Sequence, residues 1–172
     1  MAANADYVVR LAAKLKKRYN TTDPYALCEA RGITIITRPF TKQKGAYKVI
    51  LKNPFIFLKD DMDPALTRIV LYHELGHDAL HRRQAASCGG FQEFNLFDMR
   101  ESRMEYEANL FASELSLPDE EILRYIEEGY DQKQIAMLMN SDENLVALKT
   151  DILILRGHDL YHKEHENCFL KN

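Results

Sequence analysis

The chain has 172 residues, 23 Lys and Arg against 26 Asp and Glu, and a formal net charge of −3. That length suits one domain with a sizeable core, and the absence of a basic balance argues against DNA or RNA as a direct partner. Three cysteines, Cys28, Cys88 and Cys168, are odd in number and far apart, without a CxxC pair. This is the usage of free thiols in a reducing compartment, not of a disulfide framework. No signal-peptide pattern opens the chain and no apolar run is long enough to cross a bilayer, so a soluble, cytoplasmic protein is expected.

In chain order, Val8, Leu11, Ala12, Leu15 and Tyr19 recur at helical spacing and predict an amphipathic helix over about residues 5–19. Asp23 as N-cap, Pro24 at the first helical position and Gly32 as stop mark a second, short helix. Residues 33–37, 46–51 and 55–58 read as strands, with Lys52-Asn53-Pro54 as a turn, and the three suit a small antiparallel sheet. Asp63 and Pro64 open the strongest helix, with Leu66, Ile69, Val70, His73 and His77 on one broad face. Residues 84–100 look irregular around Gly89-Gly90. Helices then follow over about 101–115, 119–128, 131–139 and 142–156, punctuated by Gly129, Asn140 and Gly157. The layout is α+β: one domain over residues 1–157, a small sheet followed mostly by helices, and a polar tail over 158–172.

Residues 73–77 read His-Glu-Leu-Gly-His. Positions i and i+4 of a helix lie one above the other on the same face, so two imidazoles so placed reach one zinc ion. Glu74 between them can orient water and take its proton. A tetrahedral catalytic zinc needs a third protein ligand and keeps one open position. A third histidine six residues on is excluded, because Arg83 stands there and Leu80 occupies the expected glycine position. His81 lies one turn beyond His77. The helix rotates by about 80° over the eight residues from His73, so His81 falls off the ligand line and suits a supporting or surface place.

A carboxylate from the helix over 101–115 is the alternative, the gluzincin arrangement. Met104, Ala108, Phe111, Ala112 and Leu115 form its apolar stripe; Glu101 and Glu105 fall on that stripe, Glu107 and Glu114 on the flank with Arg103. A carboxylate on a buried face is costly unless paired or bound to metal. That favours Glu105, with Glu101 or Glu107 as substitutes. Ala108 and Ala112 would admit close helix approach, and Asn109 is placed to support a ligand histidine.

The pairing of His-Glu-Leu-Gly-His with Glu-Tyr-Glu-Ala-Asn-Leu-Phe-Ala-Ser-Glu-Leu-Ser-Leu-Pro, residues 105–118, resembles the ImmA/IrrE metallo-endopeptidases over about residues 25–140. The resemblance implies a minimal gluzincin-like zincin domain with Zn2+ as cofactor. It makes Glu105, the first Glu of the second motif, the zinc ligand. It also implies a substrate class, a helix-turn-helix transcriptional repressor inactivated by an anti-repressor of a phage or mobile element. One departure is Ser116, where an aliphatic residue is usual; this bears on packing.

Other patterns are weaker. Residues 131–154 have a helix-turn-helix flavour, but the second helix starts Asp142-Glu143, which phosphates would repel, so ordinary packing is expected. His158, His162, His165 and Cys168 offer the donors of a second metal site in the tail, but polar tails often gather such residues without function. Cys88 is placed to block the zinc reversibly from its Gly-rich loop, but a free thiol is the simpler reading. Residues 55–58 are the candidate edge for adding an extended peptide. Tyr72, Tyr106 and His81 are candidate oxyanion stabilisers, and the sequence does not choose among them. The reading is therefore a zinc endopeptidase with His73, His77 and Glu105 as ligands and Glu74 as base and proton donor. The rivals are a zinc-containing protein that sequesters the repressor uncut, and a broad peptidase of small peptides.

Overall fold

A computed structural model describes residues 2–88, 91–93 and 103–160. Its elements are α1 (Ala2–Tyr19), α2 (Pro24–Ala30), β1 (Thr34–Arg38), β2 (Gly45–Ile50), β3 (Asn53–Lys59), α3 (Pro64–Cys88), β4 (Phe91–Glu93), α4 (Arg103–Ser116), α5 (Asp119–Glu127), α6 (Gln132–Leu138) and α7 (Glu143–Leu155). The α+β class expected from the sequence is the one observed. Among the described residues no helix is long and apolar enough to cross a membrane.

Local chemistry explains most boundaries. The Asp23 side chain accepts the Ala26 N–H at 2.9 Å to cap α2, and Asp63 accepts from Leu66 N at 2.9 Å to open α3. Asp131 and Gln134 form a reciprocal capping box on α6.

The sheet runs β1-β3-β2-β4 and is mixed. β2 pairs antiparallel with β3 and β4, but β1 pairs parallel with β3, from Thr34 opposite Phe55 to Arg38 opposite Lys59. The all-antiparallel expectation is corrected here. β4 occupies the outer edge of β2, so β1 pairs along the outer edge of β3, and there its direction is parallel. The turn itself is at Leu51-Lys52, with φ of 50° and 69°, not at Lys52-Asn53-Pro54. Positive φ at both central residues matches the right-handed twist of a two-residue hairpin. It also follows that residues 55–58 lie within the sheet, between β1 and β2, and are not an edge.

Two further differences concern α3. It continues through residues 84–88, expected to be irregular, and β4 was not anticipated. Residues 89–90 and 94–102, including Glu101, lie outside the described residues.

The core lies between the sheet and the helices. Tyr47, Ile56 and Leu58 from the sheet pack with Val70, Leu71 and Leu75 of α3, and then with Leu110, Phe111 and Leu115 of α4. α7 contributes Leu145, Val146, Leu148, Ile152 and Leu153. The helix-turn-helix-like pair α6–α7 is thus committed to the core through α7, which agrees with the packing expectation. α3 is the central element, with the sheet on one side and α4 on the other.

Candidate metal centre between two helices

His73, Glu74 and His77 are all fully buried on α3. The Nε2 atoms of His73 and His77 lie 3.0 Å apart, as their one-turn spacing dictates. Glu105 reaches across from α4, with Oε2 3.3 Å from His73 Nε2 and 3.5 Å from His77 Nε2. One ligand atom from each of the three residues lies within 4.8 Å of the others.

The outer nitrogens fix the chemistry of the inner ones. His73 Nδ1 is 2.7 Å from Asn109 Oδ1, an acceptor, so Nδ1 carries the proton and Nε2 presents a lone pair. His77 Nδ1 meets His81 Nδ1 at 3.2 Å, and His81 Nε2 meets Glu107 Oε2 at 3.0 Å. Glu107 also accepts from Arg103 Nε at 2.7 Å. With His81 donating from Nε2 to Glu107, its Nδ1 is left to accept from His77. His77 Nε2 is then a lone pair as well. Burial pulls the His77 pKa down to about 4 despite the opposing Glu105 carboxylate, so the ring is neutral at physiological pH.

Two imidazole lone pairs and a carboxylate oxygen converging in a buried pocket suit a cation. Zinc with ligand bonds of about 2.0–2.2 Å in tetrahedral geometry requires donor separations of about 3.3–3.5 Å. The separations of 3.0, 3.3 and 3.5 Å are close to that. The donor set fits zinc.

The close approach of the two helices depends on small residues. A Cβ on Gly76 would lie 2.9 Å from both Cα and O of Ala108. Glu74 faces the sheet: a Cβ on Gly45, at the start of β2, would fall 2.6 Å from Val70 Cγ1 and onto Glu74 Oε1. The Glu74 carboxylate therefore rests against bare backbone.

Asp78 was missed as a functional support. Its buried carboxylate accepts from Tyr47 Oη at 2.7 Å, Arg31 Nε at 2.6 Å and Arg82 Nη2 at 2.6 Å. It ties the turn after His77 to β2 and to the end of α2. The readable signal was the Asp78–Arg82 pair at helical i,i+4 spacing. Glu114, assigned to the helix flank, is also buried; it binds Lys149 Nζ at 2.9 Å and Arg156 Nη2 at 2.8 Å.

The other sequence candidates are not brought to this point. The Tyr72 hydroxyl donates to Thr22 O at 3.0 Å, on the α2 side of α3. Tyr106 sits in the field of Asp151 of α7, and its pKa is raised by burial and then by that carboxylate. Cys28 is buried, its thiol pushed up to about 12 by burial. The Cys88 side chain and the tail group His162, His165 and Cys168 lie outside the described residues. Ser116 donates to Ala112 O at 2.8 Å, a helix back-bond remote from the ligands.

A family model described as the IrrE N-terminal-like domain, a peptidase family, matches residues 28–149. The chain belongs to the ImmA/IrrE metallopeptidase family. The match spans every residue of the cluster. Two relatives of this ImmA/IrrE chain are similar over most of their length. One is "Uncharacterized immunity region protein 2" of Bacillus phage phi105, 33% identical over 137 residues, which are 79% of this chain and 84% of that protein. The other is "Metallopeptidase ImmA" of Bacillus subtilis (strain 168), 29% identical over 127 residues, 72% of each. Family membership supports protease activity with a divalent metal, for which His73, His77 and Glu105 form a candidate site.

Proposed function

We propose that this protein is a cytoplasmic zinc endopeptidase that cuts a helix-turn-helix repressor at a specific site and so acts as an anti-repressor. The observation that carries the enzymatic part is the buried cluster of His73, His77 and Glu105, with Glu74 on the same helix turn. The repressor rests on the resemblance together with the names of the relatives, one from a phage immunity region and one an ImmA metallopeptidase.

In this reading zinc is held by His73 Nε2, His77 Nε2 and a Glu105 oxygen. Bound there, it supplies Lewis acidity that lowers the pKa of water and polarises a peptide carbonyl. Glu74 takes the proton of the attacking water and returns it to the leaving amine, which completes the proton balance of hydrolysis. Asn109 holds His73, and His81 with Glu107 holds His77, each keeping a lone pair on Nε2. A structural zinc site would close with a fourth protein ligand and has no use for Glu74.

Co-expression with a candidate helix-turn-helix repressor, followed by intact-mass measurement, tests this. A discrete cut is expected with wild type and not with zinc-loaded Glu74→Gln. An intact repressor that co-purifies with both forms would establish sequestration instead. Cleavage of unrelated small peptides at comparable rates would make it a broad peptidase. Glu105→Gln should lower zinc content and Glu107→Gln should largely retain it; the reverse result moves the third ligand.

A further inference from the structure

The seven Lys and Arg between residues 31 and 59 stand in a stretch with no Asp or Glu, whereas the rest of the chain has 16 Lys and Arg against 26 Asp and Glu. The sheet segment is therefore strongly basic on an otherwise acidic protein. Arg31 is occupied by Asp78, and Lys59 pairs with Asp61. The other five, Arg38, Lys42, Lys44, Lys48 and Lys52, have no acidic partner among the described residues.

Strand alternation sorts the β2 side chains. Gly45 and Tyr47 face α3, as their contacts with Glu74 and Asp78 require. Ala46 and Lys48 face the other way, where the described helices do not pack. On that side they line a groove of about 390 Å³ with Phe57, Phe40, Pro39 and Arg38. Its lining is apolar at Phe57, Phe40, Pro39 and Ala46, with Phe57 stacked beside Phe55 at 6.2 Å, and polar or cationic at Gln43, Arg38 and Lys48.

We propose that this groove is an exosite that grips an acidic segment of the protein substrate, one whose carboxylates alternate with bulky apolar side chains. The inference rests on the peptidase reading above. Charge complementarity selects the occupant: apolar lining takes Phe or Leu side chains, and cations with no acidic partner among the described residues take carboxylates. The volume holds a few side chains, as for a short peptide. A long nucleic acid would extend onto a surface whose net charge repels it. The groove lies on the face of the sheet opposite the cluster: Ala46 in it follows Gly45, whose other face supports Glu74, so a substrate anchored there reaches the reacting centre by passing round a sheet edge.

The test uses zinc-loaded, full-length Glu74→Gln protein and three labelled probes. These are a short peptide alternating Asp and Glu with Phe and Leu, its carboxamide counterpart built from Asn and Gln, and an oligothymidylate. Fluorescence anisotropy should show the acidic peptide bound in preference to the other two, more weakly as salt rises. Arg38→Glu with Lys48→Glu should weaken it about tenfold, whereas the same charge change at exposed Lys14 and Lys133 should not. Should the double reversal fail to fold, Arg38→Gln and Lys48→Gln carry the same comparison. Equal binding of the carboxamide peptide, or indifference to the reversal, overturns the proposal. Tighter binding of the oligothymidylate through Arg38 and Lys48 replaces it with a nucleic-acid site, and self-association lost on reversal replaces it with a contact between copies.

In wild-type protein the reversal should raise KM for repressor cleavage about tenfold and leave kcat unchanged. Cleavage with an unmoved KM removes the exosite and leaves the peptidase. Peptide binding through Arg38 and Lys48 without any repressor cleavage removes the peptidase reading, and with it the groove's role in cleavage.

Discussion

Gly76 of α3 and Ala108 of α4 meet backbone to backbone, with room for no atom between them: a Cβ added to Gly76 would sit 2.9 Å from Ala108 Cα. Glu105 lies one turn before Ala108, so the distance between the two helices sets the distance from its carboxylate to the two imidazoles. A glycine inside a helix costs about 1 kcal/mol relative to alanine, and here the close approach offsets that cost.

Gly76→Ala is therefore expected to improve the isolated helix and damage the protein. Backbone cannot rotate away as a side chain can, so α4 must shift, at about 1–3 kcal/mol for overpacking. Thermal melting should fall, and zinc content after dialysis should fall with it. A fully loaded Gly76→Ala protein with an unchanged melting temperature would show that the helix spacing does not set the site.

Gly45→Ala probes the other side of the cluster. Its added methyl would collide with the Glu74 carboxylate and with Val70 Cγ1, while all three candidate ligands lie elsewhere. Zinc content should stay near one equivalent while repressor cleavage drops by about the two to four powers of ten expected for a displaced general base. Retained cleavage in a folded Gly45→Ala sample would show that Glu74 does not need this support.

What could be read from the sequence follows from how local each signal is. The His73–His77 spacing is a property of one helix, and the apolar stripe that singled out Glu105 is a property of another. Period and composition suffice for both. The parallel β1–β3 pairing is set by how two non-adjacent strands meet, which no local pattern encodes. Gly45 and Gly76 were legible only as glycines in a strand and in a helix, signals of close approach without a named neighbour. Asp78, Glu114 and Lys149 were hidden for a related reason. Charged residues read as solvated faces until the structure shows partners on α2, β2, α4 and α7 closing around them.

Asn109 should matter for metal retention without touching metal. Its Oδ1 accepts from His73 Nδ1 at 2.7 Å inside a fully buried site, which favours the tautomer with a lone pair on Nε2. Asn109→Leu is expected to weaken zinc binding about 10–100-fold, measured by competition with a chelator. Asn109→Asp keeps the acceptor and should retain most of the affinity. Equal loss in both variants would indicate that packing rather than the hydrogen bond is at stake.

Stability, as opposed to chemistry, should depend on Lys149. Its ammonium is fully buried between Glu114 and Asp119, with Arg156 bridging the same two carboxylates. The cluster joins α4, α5 and α7, and Lys149→Ala would strand Glu114 in the interior beside a single cation. Breaking one side of a buried pair costs about 3–5 kcal/mol, so the variant should melt well below wild type. The same cluster gives a pH signature. Partial burial works to raise the Asp119 pKa, but the Lys149 hydrogen bond and charge, joined by Arg156, hold it below the ordinary carboxylate value. The unfolded chain then binds the extra proton as pH falls through about 4, so the stabilisation is complete above that pH and is lost in more acid solution. Asp119→Asn should flatten the acid limb of the melting profile. An acid limb unchanged by this substitution would assign it to other carboxylates.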